Sequence, residues 1–258
     1  MPISLIWLLD ADRIKSLVGE PTDIEKKLSN KGADLEFGEA ATRIDFWYLS
    51  ISTLVVIGVS RMFDENAQAL GLHDDERQEM IEDTFNVYEV IGAFVCGSIL
   101  TMFRSQFRPS LMVVLTIIVG FIGQIPMISP NSFSFDAMQI AVGSAAFAEG
   151  GLMVALASLV HEEYGTELFG VLYGTFLTFG AVGLYALDEI FFPGIFTWYS
   201  EENAFGVKYF KKYGEWNAFL FKCIAGAYFV CFLLALVSHI SIKRREAAES
   251  QKLVMVKF

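Results

Sequence analysis

Arg61, Glu89 and Glu149 are ionisable residues set inside or at the margins of long apolar stretches. A charge at the centre of a bilayer costs at least ~2.5–3.5 kcal/mol on insertion scales, so such groups pair, protonate or face water. Arg61 lies roughly 25 Å along the first apolar stretch, at about 1.5 Å per helical residue. Glu89 falls in the first turn of the second stretch, which runs back the other way. Both therefore belong near the same end. An Arg61–Glu89 ion pair would relieve two burial penalties together; the alternative places both in interfacial water. Arg61, Glu65 and Gln68 also share one helix face by their i, i+4, i+7 spacing. Glu149 sits about 18 Å into the fourth stretch, with no base within one helical turn. It must carry a proton, meet a partner on another helix, or line water. Gln124, at similar depth in the third stretch, is an expected hydrogen-bond partner. The chemistry open to such a set is proton or solute binding, or a structural hydrogen bond. Asp188 and Glu189, beside Phe191-Phe192-Pro193, read as a wet helix end.

Other chemistry is thin. His73, His161 and His239 are scattered, and there is no HExxH, nucleophile elbow, P-loop or GxGxxG. Cys96, Cys223 and Cys231 all fall in apolar stretches, with neither a disulfide framework nor paired metal spacing. No enzyme activity, metal or cofactor is expected.

The elements that must position these residues follow from composition. Apolar residues make up 54% of the 258 and charged residues 19%, against about 25% charge in a typical soluble domain. Mean hydropathy is +0.47. There are 24 Phe. These values point to a membrane protein and away from disorder, a collagen-like fibre or a disulfide scaffold. The net charge of −11 argues against a phosphate-binding surface and a nucleic-acid partner.

A spanning helix needs about 20 mostly apolar residues. Six stretches qualify, roughly Ile44–Ala69, Asn86–Phe103, Leu111–Ile128, Ala137–Val160, Leu168–Phe192 and Phe219–Ile242. None alternates with period two, so a β-barrel is not expected. The expected fold is all-α and polytopic. A polar N-terminal tail (1–43) precedes a six-helix domain (44–245) and a C-terminal tail (246–258). Ile3–Leu9 is too short, with no basic residue before it, to read as a signal peptide. Thr22-Asp23-Ile24-Glu25 is a capping box and Asn30-Lys31-Gly32 a stop, which predicts one short helix outside the bilayer.

Small residues four apart predict close helix packing at Ala93-x-x-x-Gly97 and Gly170-x-x-x-Gly174. Gly143, Gly150 and Gly151 punctuate the fourth span, and Gly180 and Gly183 the fifth. Gly150-Gly151, following an acid in mid-span, would loosen the helix beside a cavity. The Pro193–Ala218 connection, rich in Trp, Tyr and Phe, reads as lying along the interface.

Six spans put both termini on one side. That side carries Lys31, Arg43, Arg104, Arg108, Lys243, Arg244 and Arg245, against Arg77, Lys208, Lys211, Lys212 and Lys222 opposite. The bias places both termini in the cytosol or its equivalent. The opposite side holds the Asp64–Asp83 segment, with eight acids and one Arg.

Several pieces, in order, resemble the C-terminal half of a major facilitator superfamily transporter, nearest the nodulin-like and monocarboxylate-transporter-like branch. Arg43-Ile44-Asp45-Phe46-Trp47 resembles the entry to the seventh helix of that family. Asn66 with Leu70-Gly71 resembles its far end. Gly97-Ser98-Ile99-Leu100, then Arg104 and Arg108-Pro109, is similar to the basic gating loop between helices eight and nine. The segment from Glu163-Tyr164-Gly165 to Tyr173-Gly174 is similar to the join of helices ten and eleven. The family's Asp four residues after the loop glycine is replaced here by Thr101. The superfamily builds one cavity between two six-helix halves, and this chain offers one half with no second copy within it.

The resemblance implies that spans one, two, four and five face the cavity, with three and six outside. That would place Arg61, Asn66, Glu89 and Glu149 on a substrate path, make Glu149 the coupling-proton site, and leave Gln124 structural. The implied activity is alternating-access movement of a small organic solute such as a monocarboxylate or amino acid. The implied partners are the bilayer and a second six-helix half, from the same or another chain. The competing reading is a non-transporting structural subunit of a larger membrane complex.

Overall fold

The structure, a computed structural model, describes residues 37–67, 75–103, 107–128, 134–166, 168–202, 208–210 and 213–255. The expected N-terminal helix with its Thr22–Glu25 box lies outside these residues, as do Gln68 and Arg104.

Six helices are each long and apolar enough to cross a membrane: Ile44–Glu65, Asp75–Met102, Pro109–Met127, Phe135–Tyr164, Phe169–Trp198 and Ala218–Arg245. They are the first to sixth spans. A short helix, Phe37–Thr42, precedes the first. A small antiparallel ladder, Ser200–Glu202 against Lys208–Phe210, lies between the fifth and sixth. Apart from that ladder, the regular structure of the described residues is helical, as the apolar periodicity requires.

The boundaries have local causes. The second helix starts at Asp75, ahead of its apolar stretch, with Asp75 and Glu76 in its first turn; acids there favour a helix N-terminus. Pro109 opens the third span, where a missing N–H costs nothing. Ser134 caps the fourth, its hydroxyl accepting from the Ala137 amide at 3.1 Å. The same helix ends at Gly165, whose φ of 86° is a conformation that residues with a Cβ resist. The sixth helix begins at Tyr213 and runs on to Met255, so most of the expected C-terminal tail is helical. Arg, Glu and Ala there are good helix formers.

The fifth span differs from a plain helix. Residues Ala186–Phe191 form a π-turn between Phe169–Tyr185 and Phe192–Tyr199. Pro193 follows at once; its missing N–H and its ring conflict with the α-helical bond to the preceding turn, and a widened turn absorbs the misfit. Asp188 and Glu189 therefore lie within a continuing helix and not at its end, with Glu189 exposed. The aromatic connection is likewise shorter than expected. Trp198 is exposed, whereas Trp216 is fully buried, its ring edge-on to Phe192 at 5.8 Å.

The first and fourth spans are the most buried and the second and fifth the least. The second and third spans pack on the fourth, the fifth packs on the first, and the sixth bridges the first and third. Glycines set the closest crossings, though not always the expected ones. A Cβ on Gly92 would overlap the Phe147 carbonyl, and one on Gly150 the Glu89 carbonyl. Gly92 and Gly150 thus let the second and fourth spans touch backbone to backbone, while Gly151 makes room for the Thr116 and Cys96 side chains. The fourth helix runs unbroken through Gly150 and Gly151; the expected loosening does not occur. Gly183 meets the Leu54 carbonyl, and Gly58 lies opposite Gly183. Gly170 and Gly174 have nothing within 4 Å, so that motif makes no contact among the described residues.

Gly183→Ala should therefore destabilise the fold by about 1–3 kcal/mol, as overpacking does. Gly174→Ala should be neutral or stabilising by up to about 1 kcal/mol, from helix propensity alone. Unfolding midpoints in detergent would check the pair; equal effects would contradict the packing described.

Candidate functional site

Three spans bring their charges to one guanidinium. Arg61 Nε donates to Glu149 Oε1 at 2.8 Å, and Nη2 donates to Glu89 Oε1 at 2.8 Å. Its Nη1 lies 4.0 Å from Asp64, one turn further along the first span. The guanidinium also sits over the Phe85 ring, 5.1 Å from its centroid. Phe85 and Glu89 are one helical turn apart, so a single face of the second span supplies both contacts.

One glycine crossing helps to set this convergence. Gly150 presses the fourth span against the backbone of Glu89 itself, which fixes Glu149 beside Glu89. Gly58, nearly one turn before Arg61, seats the first span on Gly183 of the fifth, and the long Arg61 side chain reaches across to the second and fourth.

Burial is unequal. The Glu149 side chain is 1% exposed, against 33% for Arg61 and 28% for Glu89. The cluster therefore sets one fully buried carboxylate against a guanidinium and a second carboxylate that are both partly exposed. One cation facing two bonded carboxylates leaves an excess of negative charge wherever both are ionised. Glu149 Oε2, Ser60 Oγ and the Tyr228 hydroxyl are each buried without a hydrogen-bond partner among the described residues. The Ser60 hydroxyl is directed at Glu149 but falls short of hydrogen-bond geometry. Tyr228, on the sixth span, is near enough to feel the charge of Glu149. Neither residue stands out in sequence, because a serine and a tyrosine in an apolar helix are ordinary.

The expected Arg61–Glu89 pair is thus present, and the partner of Glu149 is also Arg61. Gln124 does not reach Glu149. Its amide donates to the Ala141 carbonyl at 3.0 Å and the Gly120 carbonyl at 3.2 Å, with Ser144 Oγ at 3.4 Å, so it ties the third span to the fourth. Asn66 lies apart from the arginine cluster, at the end of the first span. Its amide donates to the Met62 carbonyl and to Asp188 in the π-turn, linking the first span to the fifth. Arg108 precedes the third span at the opposite end of the bundle from Arg61, and Thr101 donates to the Gly97 carbonyl at 2.8 Å.

A second charged cluster lies at the termini side of the spans. Arg245, on the sixth span, donates to Glu163 Oε2 at 2.6 Å and to Asp45 Oδ2 at 3.4 Å. The Tyr164 hydroxyl donates to the same Asp45 oxygen at 3.3 Å. Arg43 donates to the Glu163 carbonyl at 3.3 Å and lies over the Tyr164 ring. The available signal was that Asp45, Glu163 and Arg245 each stand at the same-side end of a span.

The chain was compared with family models, curated proteins and solved structures, and none matches. The geometry above therefore carries the functional argument.

Removing the cation should cost more than removing the buried charge with it. Arg61→Met strands Glu149 and should cost about 3–5 kcal/mol, the penalty for half of a buried pair. Adding Glu149→Gln should recover much of that loss. Detergent unfolding of the single and double variants checks this; a double variant no more stable than the single would remove the ion pair as the cause.

Proposed function

We propose that this protein is one half of a solute carrier, working by alternating access on a small organic solute with a carboxylate group. The observation that supports it is Arg61 held between Glu149 and Glu89. In hydrocarbon a guanidinium is the natural receptor for a carboxylate, because its fork of donors matches the two oxygens. Here two of its donors are already engaged. An incoming carboxylate can bind only when one of the resident carboxylates lets go. A proton on Glu149 removes the charge that holds Arg61 Nε and frees it for the solute. Loss of that proton restores the pair and expels the solute. This exchange couples one proton to one anion without covalent chemistry.

The partly accessible members, Arg61 and Glu89, face the solute, while the dry Glu149 holds the proton. Asn66 and Asp188 belong to the same end of the bundle and link the first span to the π-turn of the fifth, a kind of helix irregularity that is frequent at functional sites. The second and fifth spans, being least covered, are the surfaces against which a second six-helix half would rock. The basic residues at the termini-side ends of the spans support a reading with both termini in the cytosol or its equivalent.

A non-transporting subunit of a larger complex is the second reading. Thr101, standing where the resembled family carries an Asp in its basic loop, favours it.

Uptake by the purified chain in proteoliposomes separates them. With the outside acid, a labelled short-chain monocarboxylate should accumulate. Glu149→Gln should lose the pH-gradient drive by about tenfold or more, which corresponds to ~1.4 kcal/mol of coupling. Arg61→Met should bind no solute. Absence of wild-type uptake under any gradient, with and without candidate partner halves, would favour the structural subunit.

A further inference from the structure

Arg108, Ser110, His239 and Lys243 gather at the termini-side ends of the third and sixth spans. Ser110, at the start of the third span, and His239, near the end of the sixth, share a hydrogen bond of 2.8 Å between Oγ and Nδ1. That bond pins two helix ends together on the termini side. Lys243 is one turn beyond His239 on the same face of the sixth helix. Arg108 is two residues before Ser110 and immediately before the third span. The charges that bear on the His239 ring come from Lys243 and Arg108, both positive. Ser110 is buried, His239 half-buried, and Lys243 and Arg108 are exposed. The positive end of the third helix adds to the same field.

We propose that this cluster binds the phosphate of an anionic phospholipid headgroup in the leaflet on the termini side. The donors suit a phosphate: the Lys243 and Arg108 cations at the rim, and beneath them the one N–H or O–H that the Ser110–His239 bond leaves over. The position suits a lipid rather than a soluble anion. Val237, just deeper than His239, and Ile240, between His239 and Lys243, are both exposed and would meet the acyl chains. Basic pockets between spanning helices are the expected seats of acidic headgroups. The overall charge of −11 does not oppose this, because the acidic Asp64–Asp83 segment lies at the other end of the spans. The site is separate from Arg61 and makes no use of transport.

The test uses the full chain in nanodiscs of phosphatidylcholine with and without phosphatidylglycerol. Lipid retained through detergent exchange is counted by native mass spectrometry. The wild-type chain should keep phosphatidylglycerol in preference to phosphatidylcholine. Lys243→Gln should lower that preference about fivefold, and Arg108→Gln with Lys243→Gln roughly 30-fold, from the usual worth of a basic residue near an acidic leaflet. Arg244→Gln, one residue along and on another face, should change it little. Inorganic phosphate at millimolar concentration should not displace the lipid. Equal loss in Arg244→Gln would show a diffuse charge effect and overturn the site. Displacement by inorganic phosphate would make it a soluble-anion site and overturn the lipid assignment. Lys243 is exposed, so its single variant keeps the test sharp even if the double variant folds poorly.

Discussion

A guanidinium cannot be left bare among acyl chains, and the meeting of three of the six spans answers that constraint. Arg61 needs acceptors, and the first span offers only Asp64 at 4.0 Å. The carboxylates that hold it at 2.8 Å come from the second and fourth spans. Glu149, buried to 1% exposure, has the reciprocal need, because an ionised carboxylate in low dielectric is costly without a cation. Neither residue is tolerable alone. Gly150, next to Glu149, brings the fourth span against the backbone of Glu89 on the second, so close packing places the two carboxylates side by side. The Arg61 side chain then bridges from the first span to both.

The two ionic clusters lie towards opposite ends of the bundle, and both use the first and fourth spans. On the first span Asp45 and Arg61 are about 24 Å apart at the helical rise. Asp45 joins the Arg245–Glu163–Tyr164 cluster at the termini side, while Arg61 centres the other. These two spans are also the most buried, which makes them the stiff axis of the domain. The second and fifth spans pack against that axis by glycine contacts and expose most of their remaining surface. A rigid centre with lightly covered flanks suits a body that moves as a unit against something else.

The unequal exposure of the arginine cluster gives the functional proposal its direction. If all three charges were equally wet, exchange of a solute for Glu89 or Glu149 would carry no bias. Because Glu149 is dry and Glu89 is not, the two carboxylates are different partners for one guanidinium. A proton is the smallest species that can reach the dry one, and a solute carboxylate can compete for the wet side. The Asn66–Asp188 bond adds the fifth span to this end of the bundle through a π-turn that Pro193 enforces.

Six apolar stretches, the all-helical architecture and the pairing of Arg61 with Glu89 were legible from residue types and spacing, because lipid imposes a length of about 20 apolar residues and a heavy penalty on lone charges. Helix ends were legible to within a turn or two where a cap or proline marks them, and less so at Asp75 and Met255, where polar residues continue a helix beyond the apolar run. What only the tertiary structure decided is which distant groups meet. Sequence depth offered Gln124 as the partner for Glu149 and did not offer Arg61, because depth fixes one coordinate and says nothing of azimuth. The azimuth is set by which small residues face a neighbouring backbone, and there Gly92, Gly58 and Gly150 pack while Gly170 and Gly174, equally well spaced, do not. Local spacing can announce that a helix has a face; only the packed bundle determines what that face is turned towards.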